Sequence, residues 1–253
     1  MHVDLYSLIQ NKLIIQFYIP KNKKRSMKFK HMTLYTHKLE EEYNFYTKIL
    51  GFEVIAQTNQ SFTLQTGWTK LTFAKSVLER KYHYCFLIPT NLLNPCLEWL
   101  KQRTEAIKIE EDRYIQHFKD WNADSFYFYD GSGNLAEFIV RHDLNYVGKE
   151  PFDPSQIICL NEIGMPTKDI EKMNEHLKLK INTDFWKGDY KRFGTNGDQK
   201  GLLLLPNYMI KTKWFPTQLE IKPEPFEAII EHDEKSYHLN WHEEKLKITY
   251  NHS

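Results

Sequence analysis

The feature that most constrains the fold is an order of segments that occurs twice: strand, helix, then further strands, with a period of about 50 residues. In the first copy "KFKHMTLYT" reads as a strand. "HKLEEEYNFYTKILGF" then places Leu39, Tyr43, Tyr46 and Leu50 at helical spacing, and Gly51 closes the helix. "FEVIAQ", "SFTLQT" and "KLTFAK" follow as short antiparallel strands separated by polar turns. The second copy runs from "YHYCFLIP" through the helix "NLLNPCLEWLKQRT", with Pro95 in its first turn, to "SFYFYD" and "LAEFIV", which "GSGN" joins as a hairpin.

A third copy is fainter: "IICLNEIGMP", the capped helix "TKDIEKMNEHLKLK", "RFGTNG" and "KGLLLLP". The remainder is β-rich and irregular, a partial fourth unit. A polar stretch bounded by two prolines, "RHDLNYVGKEPFDPS", suggests a boundary around residues 145 to 155. The expected organisation is an N-terminal extension over 1–27, a pair of units over 28–148 and a degenerate second half over 149–253. The opening apolar run is interrupted by Gln10, Asn11 and Lys12 and followed by "KNKKR", the wrong order for a secretory signal and too short for a membrane span.

Lys and Arg number 34 against 33 acidic residues, so a net charge of +1 supplies no field for nucleic acid or a membrane surface. A small molecule is the expected partner, and the 15% aromatic content suits sheets or an aromatic-lined cavity. Cys85, Cys96 and Cys159 have no metal-type spacing and read as core thiols in a reducing, cytoplasmic setting. The oligomeric state, a homodimer included, is open.

Glu137 is the anomaly, a lone carboxylate inside the apolar run of "YFYDGSGNLAEFIV". Burying it demands a partner, a proton or a metal. His31 and His83 lie in the opening strands of units one and two, 52 residues apart, and Glu137 follows His83 by 54 in the last strand of unit two. Two imidazoles and a carboxylate with open positions suit non-haem Fe(II), and also Mn(II), Zn(II) or Ni(II). The plainer alternatives are an ion pair between Glu137 and Arg141, and histidines that are ordinary core or surface residues. Cys85, on the same strand face as His83, reads as a core filler more readily than as a fourth ligand.

Paired βαβββ units with a histidine in each opening strand and "DGSGNLAEF" near the end resemble the vicinal oxygen chelate superfamily, which includes glyoxalase I, extradiol dioxygenases, fosfomycin-resistance transferases and bleomycin-binding proteins. The resemblance covers residues 28 to 142 and implies an α+β fold of tandem βαβββ units in curved mixed sheets around a metal cup. It implies His31, His83 and Glu137 as metal ligands. Glyoxalase I enzymes generally take a fourth ligand from the last strand of the first unit, where this chain has Thr72 and no carboxylate.

"IQH" at 115 to 117, "FY" at 126 to 127, "DGSG" at 130 to 133 and Glu137 resemble the extradiol dioxygenase signature, with Gly131 in place of its proline and a spacer after His117 about one residue longer than usual. By that resemblance Fe(II) is the favoured metal, the substrate is a catechol-like aromatic, His117 acts as acid or base, and Tyr127 hydrogen-bonds substrate oxygen. A glyoxalase-like lyase or thiol transferase on the same metal site, and a metal-free small-molecule binding protein, are the alternatives. Glu162 is the third unit's counterpart of His31, and with no histidine matching it the second half is expected to lack a metal site.

Overall fold

The structure, a computed structural model, describes residues 26–251; the expected extension lies almost wholly outside the described residues. Unit one comprises β1 (Lys28–Thr36), α1 (Leu39–Asn44), β2 (Val54–Gln57), β3 (Ser61–Thr66) and β4 (Thr69–Lys75). Unit two comprises β5 (His83–Leu87), α2 (Leu93–Lys101), β6 (Gln116–Phe118), β7 (Ala123–Tyr129) and β8 (Leu135–Arg141). Unit three comprises β9 (Cys159–Gly164), α3 (Ile170–Ile181), β10 (Phe185–Gly188), β11 (Phe193–Asp198) and β12 (Gly201–Pro206). The fourth is reduced to β13 (Phe226–His232), β14 (Lys235–His242) and β15 (Lys245–Asn251).

Local chemistry explains the helix boundaries. α1 runs on as a π-helical turn, Phe45–Ile49, and the chain leaves it through Gly51 at φ +71°, a left-handed backbone suited to glycine. α3 is capped by Asp169, whose carboxylate accepts the Lys172 N–H at 3.0 Å. The "DGSG" hairpin is an Asx-type turn: Asp130 Oδ1 accepts the N–H groups of Ser132 (3.0 Å) and Asn134 (2.8 Å). Gly131 lets it close on α1, since a Cβ there would stand 2.5 Å from the Glu41 carbonyl oxygen.

The units do not pair in chain order. A seven-stranded sheet runs β15-β14-β13-β1-β4-β3-β2, and an eight-stranded sheet runs β10-β11-β12-β9-β5-β8-β7-β6. Unit one therefore joins unit four through the antiparallel pair β1/β13, and unit two joins unit three through β5/β9. Units one and two, grouped from the sequence as a pair over 28–148, therefore lie in different sheets. The polar stretch near residues 145 to 155 carries the chain from β8 to β9 inside one sheet, with β5 between them.

Alternation along β5 and β8 then fixes what faces where. Tyr84 and Phe86, with Ala136 and Phe138, point into the main core, where Phe73 and Tyr46 of unit one reach them; the Tyr46 and Phe86 ring centroids are 6.4 Å apart. His83, Cys85 and Glu137 point to the opposite face. Every residue of both strands is buried, so this second face is covered too. Its cover is the segment between β12 and β13, which lays Trp214 across Gly164 and the His83 ring.

Candidate metal centre

Three adjacent strands bring the centre together. β5 and β8 are parallel with Cys85 opposite Glu137, and β5 and β9 are antiparallel with Cys85 opposite Glu162. His83, one pleat earlier on β5, lies diagonally between the two carboxylates. One ligand atom from each of His83, Glu137 and Glu162 falls within 4.8 Å of the others, and all three side chains are buried.

The His83 ring has a determined orientation. Nδ1 lies 3.0 Å from the Leu135 carbonyl, which can only accept, so Nδ1 carries the proton and Nε2 presents its lone pair. That lone pair faces Glu137 Oε2 at 3.4 Å. Burial pushes the imidazole down to about 4, with the Leu135 bond opposing and the Lys211 charge assisting, so the ring is neutral at neutral pH. Glu137 is pushed well above the usual carboxylate range, first by burial and then by the Glu162 charge, against the opposing effects of Ser125, Arg141 and Tyr127.

Two lone-pair groups facing one another need a proton or a cation between them. Ligand atoms each about 2.1 Å from one ion stand about 3.0–3.4 Å apart, so this pair fits a divalent metal as well as a proton. Glu162 differs. Arg141 Nη2 donates to its Oε1, while Arg141 Nε donates to Asn161 Oδ1 at 2.9 Å. The guanidinium is fully buried, 5.2 Å from the Trp186 ring and 5.7 Å from the Trp121 ring. Burial raises Glu162 and Arg141 opposes the shift, leaving its second oxygen for the centre. The donor set therefore fits a metal, as one imidazole and two carboxylates.

His31 is not part of this cluster. It lies in the other sheet with Nε2 2.8 Å from Thr72 Oγ1, which also meets Thr63 Oγ1 at 2.8 Å. The physical reason is an internal correspondence. β1/β4 repeats β5/β8, so His31 with Thr72 repeats His83 with Glu137; Thr33 lies opposite Glu227 on β13 as Cys85 lies opposite Glu162 on β9. The second cup thus holds His31, Thr72 and Glu227, with Glu227 bound to the Tyr35 hydroxyl at 2.8 Å and 3.2 Å from His238 Nε2.

His117 also lies outside the centre. It is exposed, with Nδ1 2.7 Å from Asp124 Oδ1, and alternation turns its neighbour Phe118 toward the site instead. Tyr127 is within the site: it is opposite Glu137 in the β7/β8 ladder, its ring centroid is 6.3 Å from that of His83, and burial keeps its hydroxyl protonated. Cys85 stands between the two carboxylates, and burial followed by their charges keeps the thiol protonated. The residues that sequence reasoning missed are Glu162 as a member of the set, Arg141 as its clamp, and Trp214. The signal for Glu162 was its alignment with His31; the signal for the others lay only in the sheet pairing.

Above the three groups opens a cavity of about 270 Å³. Its walls are aromatic, with Trp121, Phe193, Trp214 and Phe215 among them, and Arg192 and Lys211 stand with these. Among the described residues no helix is long and apolar enough to cross a membrane.

Residues 28–138 match the model of the Glyoxalase/Bleomycin resistance protein/Dioxygenase superfamily. No curated protein is significantly similar in sequence. Among solved structures, the chain is similar to a "putative dioxygenase" of Bacillus subtilis subsp. subtilis str. 168, at 15% identity and a TM-score of 0.56, over 89% of this chain and 85% of that one. It is also similar to a single-substitution variant of glyoxalase I from Zea mays, at 16% identity and a TM-score of 0.47, over 72% and 67%. A lactoylglutathione lyase from Agrobacterium tumefaciens aligns at 15% identity and a TM-score of 0.37, over 44% of this chain and 92% of that one. The segment 28–138 thus matches the model of that superfamily, and the repeated βαβββ units in curved mixed sheets have the fold of the vicinal oxygen chelate group.

Proposed function

We propose that the protein is a metal-dependent enzyme acting on a small planar aromatic that carries two neighbouring oxygens, with ring cleavage in the manner of an extradiol dioxygenase as the leading reaction. The observation that carries this reading is the His83 Nε2 lone pair facing the buried Glu137 carboxylate at 3.4 Å on the floor of an aromatic cavity. Fold alone does not select among the superfamily's reactions, so the site has to.

A divalent metal, with Fe(II) favoured and Mn(II), Zn(II) or Ni(II) as alternatives, would be held by His83, Glu137 and Glu162 and would supply Lewis acidity and a template for two substrate oxygens. The chain's own residues do the rest. The Leu135 carbonyl fixes the His83 tautomer, and Arg141 restrains Glu162 so that one oxygen stays directed at the centre. Trp214 and Tyr127 exclude water from the floor, and the protonated Tyr127 hydroxyl is the hydrogen-bond donor beside Glu137. Since His117 does not line the cavity, Tyr127 takes the hydrogen-bonding role in this reading and His117 takes none. Three buried free cysteines accord with a reducing, cytoplasmic setting.

A second reading has its own observation. The two histidines of the expected triad lie on different sheets, and Glu162 is already satisfied by Arg141, as suits a metal-free protein that shelters an aromatic molecule. Metal analysis of protein purified without chelator, together with oxygen uptake on a panel of catechols, separates the two. About one metal per chain and catechol-dependent uptake support the enzyme. Metal without uptake favours a lyase or transferase, and aromatic binding without metal favours the sheltering protein.

A further inference from the structure

The cavity over His83 is graded in charge as well as in exposure. At its floor the charges cancel, Arg141 against Glu162. At its mouth they do not. Arg192 is exposed and Lys211 half-buried, both line the cavity, and neither forms an ion pair within 4 Å with any carboxylate among the described residues. The nearby Asp189 carboxylate is engaged by the backbone N–H groups of Lys191 (2.8 Å) and Arg192 (2.6 Å).

Lys211 is the more telling of the two. Its ammonium donates one hydrogen bond, to the Lys213 carbonyl at 2.7 Å, and lies 5.7 Å from the Trp214 ring and 5.9 Å from the Phe193 ring. Two of its three donors therefore have no acceptor among the described residues. Burial and the Arg192 charge lower it to about 8, the mark of a cation held partly desolvated without a counter-ion. The aromatic walls between mouth and floor suit a planar ring, and the floor suits its two oxygens.

We infer that the ligand of this cavity is an aromatic acid, a ring bearing a carboxylate that meets Lys211 and Arg192 at the mouth while its oxygenated edge faces His83 and Glu137. This deepens the function proposed above and rests on it for the orientation of the ring; the charge selection itself requires no metal.

The test compares 3,4-dihydroxybenzoate with its neutral counterpart 3,4-dihydroxybenzamide, read as equilibrium binding by tryptophan fluorescence of the full chain, both metal-loaded and after chelator treatment. Because charge-assisted hydrogen bonds to a carboxylate exceed neutral ones, the acid is expected to bind about ten-fold more tightly than the amide. Lys211→Gln and, separately, the exposed and structurally undemanding Arg192→Gln each reduce that ratio several-fold, chiefly by weakening the acid. Equal affinities for acid and amide, no binding of either, or a ratio unmoved by both variants overturns the inference. A preserved ratio in chelated protein with no catechol-dependent oxygen uptake would sink the proposed reaction and leave the charge selection standing.

Discussion

His83 Nε2 and Glu137 Oε2 face each other at 3.4 Å from adjacent parallel strands, with the far side of the imidazole committed to the Leu135 carbonyl. That relationship answers the anomaly of a carboxylate in an apolar strand. Glu137 is matched by a neutral ring that can share a proton or a cation with it, while Arg141, the sequence neighbour able to neutralise it, is directed to Glu162.

Arg141 is the first point at which the account can be tested. Replacing it with Met removes the buried partner of Glu162 and leaves a carboxylate uncompensated, an effect typically of about 3–5 kcal/mol. Chemical denaturation of Arg141→Met is expected to show a loss in that range. The double variant with Glu162→Gln recovers a large part of it, and additive losses would contradict the pairing.

Gly164 reports on the roof. A Cβ there would lie 2.7 Å from Trp214 Cζ2, so Gly164→Ala forces the indole off its seat beside His83. Overpacking of this kind costs about 1–3 kcal/mol. The expected signature is a stability loss in that range with altered Trp fluorescence, and restored stability when Trp214→Phe is added.

A buried carboxylate outside the centre gives a pH dependence. Glu42 is fully buried; burial, then the charge and hydrogen bond of Asp130, push it well above the usual carboxylate range. The folded chain keeps a proton that the unfolded chain releases, so this contribution is full below the ordinary glutamate pKa and is lost as pH rises through the folded value. Wild-type stability should therefore fall more steeply with rising pH above about 5 than that of Glu42→Gln, by at most about 1.4 kcal/mol per pH unit. Parallel slopes from denaturant titrations across pH 5 to 8 would remove Glu42 as the cause.

What could be read from the sequence, and what could not, follows from the same residues. The helices and most strands of the first three units were legible because their apolar periodicity and turn chemistry are local, as in Leu39 through Gly51 or the Asp130 turn, whereas the short strands β6 and β10 carry too little pattern and were not read. His83 and Glu137 were legible as a pair because they belong to one unit. His31 was misassigned to them because its spacing reports equivalence within a repeat: it holds in the seven-stranded sheet the place that His83 holds in the eight-stranded one. Which units share a sheet is decided by non-local packing, the β1/β13 and β5/β9 seams, and no local pattern encodes it. Glu162 entered the centre across one of those seams.

The most direct measurement of the central claim is metal content per chain, by elemental analysis of protein purified without chelator, for wild type, Glu137→Gln, Glu162→Gln and His31→Ala. A centre built from His83, Glu137 and Glu162 predicts about one divalent metal per chain in the wild type and in His31→Ala, and a 10–100-fold or greater loss of affinity in the two glutamate variants. Metal lost in His31→Ala but kept in Glu162→Gln, or no metal in the wild type, would contradict it.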